Sequence, residues 1–112
     1  KLVDVYPDGY EAILLDSPIR ARYRHGRKPQ DIEFMRPGEA ALMVIDLWSI
    51  SQTFEKGHRI AVHVPSSNYP RFEVNPNTGE DFPVDGKEMR VAHNRVHAGA
   101  GRDSVLILPV RE

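Results

Sequence analysis

Cysteine is absent from the 112 residues of this chain. Disulfides, zinc–thiolate centres and cysteine nucleophiles are therefore excluded, while the compartment stays open between cytoplasm and export. Net charge is nearly absent as well, with 15 Lys and Arg against 16 Asp and Glu, a formal charge of −1. That balance argues against a broadly basic nucleic-acid footprint and against an acidic disordered tail. No apolar run approaches the ~20 residues that span a bilayer. The opening Lys1-Leu2-Val3-Asp4-Val5 has neither an initiator Met nor the charged-then-apolar pattern of a signal region. It is the opening expected of a processed, truncated or cloned piece. None of Asn68, Asn75, Asn77 or Asn94 begins an Asn-x-Ser/Thr acceptor.

What is present is punctuation: nine Pro and eight Gly, spread along the chain. They favour short strands and turns over long helices. Period-two alternation supports this. Leu2 to Val5 alternates up to the turn signal Pro7-Asp8-Gly9, and a second strand is expected over residues 10–15. In Ile19-Arg20-Ala21-Arg22-Tyr23-Arg24 every Arg falls on one face, the pattern of a strand with one buried side. Further strands are expected at 31–35, 40–48, 59–64, 88–98 and 104–110, with a loop or single helical turn at 49–56. Residues 66–87 are rich in Pro, Asn and Gly and read as a long loop. No repeat or interdomain linker is visible. The fold class is all-β, a sandwich of about seven short strands, in one domain over residues 1–112.

Catalytic signatures are weak. The serines at 17, 49, 51, 66, 67 and 104 lie in no Gly-x-Ser-x-Gly elbow. His93 and His97 have the four-residue spacing of a zinc helix, but their surroundings read as strand and no third ligand has clear spacing. His58, at a strand entry after Gly57, and His63, between Val62 and Val64, suit hydrogen-bonded structural roles better than metal ligation. The loop Glu73-Val74-Asn75-Pro76-Asn77-Thr78-Gly79-Glu80-Asp81 alternates oxygen-bearing side chains, which calcium would accept, yet its spacing does not fit an EF-hand. Turns held by Asn side chains account for the same residues. Arg20, Arg22, Arg24, Arg27 and Lys28 form a basic stripe, expected to be a solvated or domain-facing surface. Trp48, Phe54, Tyr69, Phe72 and Phe82 are expected to be core or anchoring aromatics, with a partner or sugar surface around Tyr69, Arg71 and Phe72 as the other reading.

A set of longer motifs goes further. Ile45-Asp46-Leu47-Trp48-Ser49, Phe54-x-x-Gly57-His58-Arg59-Ile60, Ser66-Ser67-Asn68-Tyr69-Pro70-Arg71-Phe72 and Asn75-Pro76-Asn77-Thr78-Gly79 occur in that order. Lys1-Leu2-Val3-Asp4-Val5-Tyr6-Pro7-Asp8-Gly9, the 19–24 segment and Leu106-Ile107-Leu108-Pro109-Val110 complete the set. Together they resemble the C-terminal domain of the X-Pro dipeptidyl-peptidase S15 family, the cocaine esterase/NonD hydrolases. The α-amino acid ester hydrolases and glutaryl-cephalosporin acylases belong to the same group.

The resemblance implies a jelly-roll sandwich of the galactose-binding-like type that lacks its first strands. It implies a parent whose α/β-hydrolase domain carries a Ser–Asp–His triad upstream, under a helical cap, with this domain as a non-catalytic brace. Catalytic, cofactor-binding and metal-ligating residues are all expected to be absent here. The implied partners are the catalytic and cap domains, with no nucleic acid or membrane, and open sheet edges would permit a homo-oligomer. The alternative is a free-standing carbohydrate- or protein-binding sandwich. The sequence departs from the family pattern at Pro65 (usually Ser), Tyr69 (usually Phe) and Ala98 (commonly Asp). The 66–79 loop is expected to be mainly structural.

Overall fold

The computed structural model describes residues 1–80, 89–99 and 101–110. Its regular structure is a three-stranded antiparallel sheet in the order β2-β1-β3, formed by β1 (Leu2–Val5), β2 (Glu11–Leu15) and β3 (Arg59–Val62). Two short 3-10 turns, Ala21–Tyr23 and Pro29–Asp31, are the only helical pieces among the described residues. The all-β expectation holds at this level. No helix among the described residues is long and apolar enough to cross a membrane. The chain separates into two compact units, Lys1–His63 and Val64–Glu112.

In the first unit the hairpin forms where the turn chemistry places it. The Gly9 N–H donates to the Tyr6 carbonyl at 2.9 Å and the Tyr6 N–H to the Tyr10 carbonyl at 2.8 Å. Gly9 closes the turn at φ +91°, a left-handed conformation that glycine adopts without a Cβ penalty. The Asp8 carboxylate accepts from the Tyr10 N–H at 3.0 Å, the side-chain-to-backbone bond that makes Asp a turn residue. Register is Val3 against Ile13 and Val5 against Glu11, with a shift between Leu2 and Val3.

β3 arrives from far along the chain and pairs with the other edge of β1, Asp4 opposite Ile60 and Leu2 opposite Val62. Lys1 and His63 extend that pairing: the terminal amine donates to the His63 carbonyl at 2.7 Å and the His63 N–H to the Lys1 carbonyl at 3.0 Å. β1 is buried on both faces, with Leu2 and Asp4 on one and Val3 and Val5 on the other.

Several expected strands do not form ladders. Residues 31–35, 40–48, 89–98 and 104–110 have no strand pairing among the described residues. Alternation states which side chains would share a face, but a strand also needs a neighbour for its backbone N–H and C=O groups. Within residues 19–24, Ala21–Tyr23 form a 3-10 turn instead of a strand, so the arginines do not share one solvated face. Arg22 is buried, its guanidinium 4.9 Å from the Phe34 ring centroid, and the Arg22 carbonyl accepts from the Glu33 N–H at 3.1 Å.

The second unit is loop-rich, as expected for residues 66–80. The Phe72 N–H donates to the Asn68 carbonyl at 3.0 Å, and Tyr69–Pro70 is a cis peptide. Phe82, Asp81 and the expected start of a strand at Glu88 lie outside the described residues.

Candidate functional site

The polar centre of the sheet is built by register. Asp4 sits mid-way along the central strand, opposite Ile60 of β3. His58 precedes Ile60 by two positions, so it falls on the same face, diagonal to Asp4. Tyr6, two positions beyond Asp4, shares that face too. The His58 Nδ1 lies 2.9 Å from one Asp4 carboxylate oxygen and 3.1 Å from the other. The Tyr6 ring packs on the imidazole, centroids 4.2 Å apart at 45°, and Tyr10 meets Tyr6 edge-on at 5.4 Å. Asp4 is 1% exposed and the His58 side chain 11%. The approach to β3 is held by the His58 N–H, which donates to the Glu55 carbonyl at 3.0 Å, and by Gly57 at φ +93°.

A carboxylate that orients an imidazole through Nδ1 is also the base half of a serine triad. A nucleophile would complete it, but no serine hydroxyl is hydrogen-bonded to an imidazole among the described residues. Ser67 accepts from the Tyr69 N–H at 3.3 Å, and Ser104 donates to the His97 carbonyl at 2.6 Å. The arrangement supplies an internal ion-pair or hydrogen-bond link between β1 and the entry to β3.

The other singled-out residues are dispersed. His63 approaches Glu11 at 3.6 Å. His93 and His97 are exposed on irregular backbone, neither strand nor helix. In the oxygen-rich loop, the Asn75 side-chain oxygen accepts from the Asn77 N–H at 3.1 Å, and the Asn77 amide donates to the Arg90 carbonyl at 2.9 Å. The first makes a turn, and the second ties the loop to a residue 13 positions on. No group of three His, Cys, Asp or Glu residues among those described could hold a metal ion. Trp48 and Tyr69 are exposed, whereas Phe54 and Phe72 are half-buried, so the expected aromatic core is only partly formed.

Another feature has no sequence signature. A shallow cleft of about 280 Å³ is lined by Arg24, His25, Glu33, Met35, Arg36 and Leu42, among others. Its charged wall is a small network: Arg24 and His25 reach the same Glu33 carboxylate oxygen, at 2.9 Å and 3.2 Å. No local motif announces this network, because the 3-10 turn Pro29–Asp31 separates Glu33 from Arg24 and His25 in the chain.

Comparison with known proteins agrees with the motif order. The family model described as the X-Pro dipeptidyl-peptidase C-terminal non-catalytic domain matches residues 1–107. The chain is 42% identical over 112 residues to the cocaine esterase of Rhodococcus sp. (strain MB1 Bresler), covering 98% of this chain and 19% of that protein. No solved structure matches the chain.

Proposed function

This chain belongs to the family of X-Pro dipeptidyl-peptidase C-terminal non-catalytic domains, and from that premise we propose that its work is mechanical. It braces the catalytic and cap domains of a larger serine hydrolase acting on acyl ester or amide bonds. Chemistry in the parent runs through an acyl-enzyme formed by a serine outside residues 1–112. The domain belongs to a jelly-roll sandwich, with residues 1–112 forming part of it. The observation behind this reading is coverage. Nearly all of this chain corresponds to 19% of the esterase, so about four-fifths of that polypeptide lies outside the match. A central strand buried on both faces suits a rigid support.

The test places residues 1–112 in the Rhodococcus esterase in place of its matched segment, beside the same esterase with that segment deleted. The deletion is expected to lower the unfolding temperature and the replacement to restore it. A serine-directed phosphonate is expected to label no peptide from residues 1–112. Labelling of a serine within them would overturn the reading. Exposed Trp48 and Tyr69 support a second reading, a free-standing binding module. Carbohydrate or protein binding by the chain with no stabilisation of the esterase would favour it.

A further inference from the structure

We propose that Asp4 and His58 form a register lock, whose contact selects one of two alignments of β3 on β1 that the apolar side chains alone would accept.

β2 and β3 reach β1 in different ways. β2 follows β1 through the tight turn at Asp8 and Gly9, and turn geometry fixes the register of a hairpin. β3 arrives after residues 16–58, all described and none of them in a strand. No tight turn sets its alignment, so the side chains must.

The apolar ones select weakly. On the face shared with Asp4, β3 and the chain just beyond it present Ile60, Val62 and Val64, with Ile60 49% and Val62 48% exposed. Moving β3 by one residue would turn this set to the other face, whereas moving it by two keeps every side chain on its face. Leu2 would then meet Val64 in place of Val62, and Asp4 would meet Val62 in place of Ile60. On the opposite face Val3 and Val5 now oppose Ala61 and Arg59. After the shift they would oppose His63 and Ala61, again one apolar and one polar partner. Apolar pairing does not separate the two alignments.

Asp4 separates them. It is 1% exposed and lies 2.9 Å from the His58 imidazole, because this register sets His58 beside Tyr6, whose ring packs on it. A two-residue shift carries His58 about 7 Å along the strand, past Tyr6 to the level of Asp8. Asp4 is then left opposite Val62 without that partner, and an unpaired buried carboxylate is among the costliest defects in a folded chain. A shift the other way would set Asp4 opposite His58 itself. The bend before β3 stands against it: Gly57 has φ +93° and the His58 N–H donates to the Glu55 carbonyl, so this stretch is not extended and cannot continue the ladder. Fixing register is the best-attested use of a buried polar group.

The chain has no cysteine, so each alignment can be trapped by one introduced pair. Val5→Cys with Arg59→Cys joins residues that oppose each other in the present register. Val5→Cys with Ala61→Cys joins those that would oppose each other after the shift. Both bonds start from the same β1 position, so their geometry is equivalent, and a neighbour two positions off lies beyond disulfide reach. Closure in a glutathione buffer is read by mass spectrometry. With Asp4 and His58 in place, the pair at 5 and 59 is expected to close at least about tenfold more than the pair at 5 and 61. In the apolar replacements Asp4→Val/His58→Phe and Asp4→Ala/His58→Leu, the two are expected to close within about threefold of each other, with urea unfolding still cooperative.

Equal closure with Asp4 and His58 in place would mean that the alignments already mix. An undiminished preference for 59 in a replacement that unfolds cooperatively would put the selection elsewhere in the sheet. Loss of cooperative unfolding in both replacements would make the pair a support of the fold and not a choice between alignments. Each of these three results overturns the proposal.

Discussion

Asp4 and His58 lie 54 positions apart and meet with the imidazole Nδ1 within 3.1 Å of both carboxylate oxygens. The contact joins the central strand to the entry of β3, and it places an acidic side chain inside a sheet otherwise buried through Leu2, Val3 and Val5.

Removing His58 strands that carboxylate. His58→Ala is expected to destabilise the fold by about 3 kcal/mol, the scale for breaking a buried pair from one side. Asp4→Asn keeps an acceptor oxygen in place and is expected to cost less. Urea unfolding of both single variants and the double variant measures this. A coupling energy near zero in the double-mutant cycle would show that the pair contributes nothing beyond its separate side chains.

Gly26 tests the turn beyond the first 3-10 segment. Its φ is +148°, and a Cβ added there would run into the Asp31 carboxylate. Gly9, at φ +91°, has open space around it. Gly9→Ala is expected to cost about 1 kcal/mol, from the left-handed backbone alone. Gly26→Ala is expected to cost more, with part recovered in Gly26→Ala/Asp31→Ala. Equal losses at the two glycines in thermal unfolding would contradict the close approach.

Arg22 is buried and faces Phe34 at 4.9 Å and Tyr23 at 5.8 Å. A planar guanidinium stacks on rings in a way an ammonium does not. Arg22→Lys is therefore expected to destabilise by roughly 1 kcal/mol despite its retained charge. A midpoint in urea identical to that of the parent chain would refute the stacking role.

Asn77 combines a left-handed φ of +57° with the 2.9 Å bond from its amide to the Arg90 carbonyl. Asn77→Gly keeps the backbone and loses the bond, at an expected cost of about 1 kcal/mol. Asn77→Ala loses both and is expected to cost more. Hydrogen exchange at Arg90, whose N–H donates to the Pro76 carbonyl at 2.9 Å, gives the local readout. Faster exchange in the alanine variant than in the glycine variant is expected.

What short-range chemistry decides is legible in the residues themselves. Pro7-Asp8-Gly9 set the hairpin, because φ restriction at Pro, the Asp side-chain acceptor and the freedom of Gly act within a few residues. Period-two alternation located β1, β2 and β3, and the ordered motifs identified the family over residues 1–107. Partners were beyond their reach. Nothing local shows that Asp4 meets His58, that Arg22 turns inward onto Phe34, or that Arg24 and His25 share Glu33. The same limit explains the alternating segments at 19–24, 40–48 and 104–110, which read as strands yet form no ladder among the described residues. A strand's hydrogen-bonding groups are satisfied by another segment, and only tertiary structure chooses which segment that is.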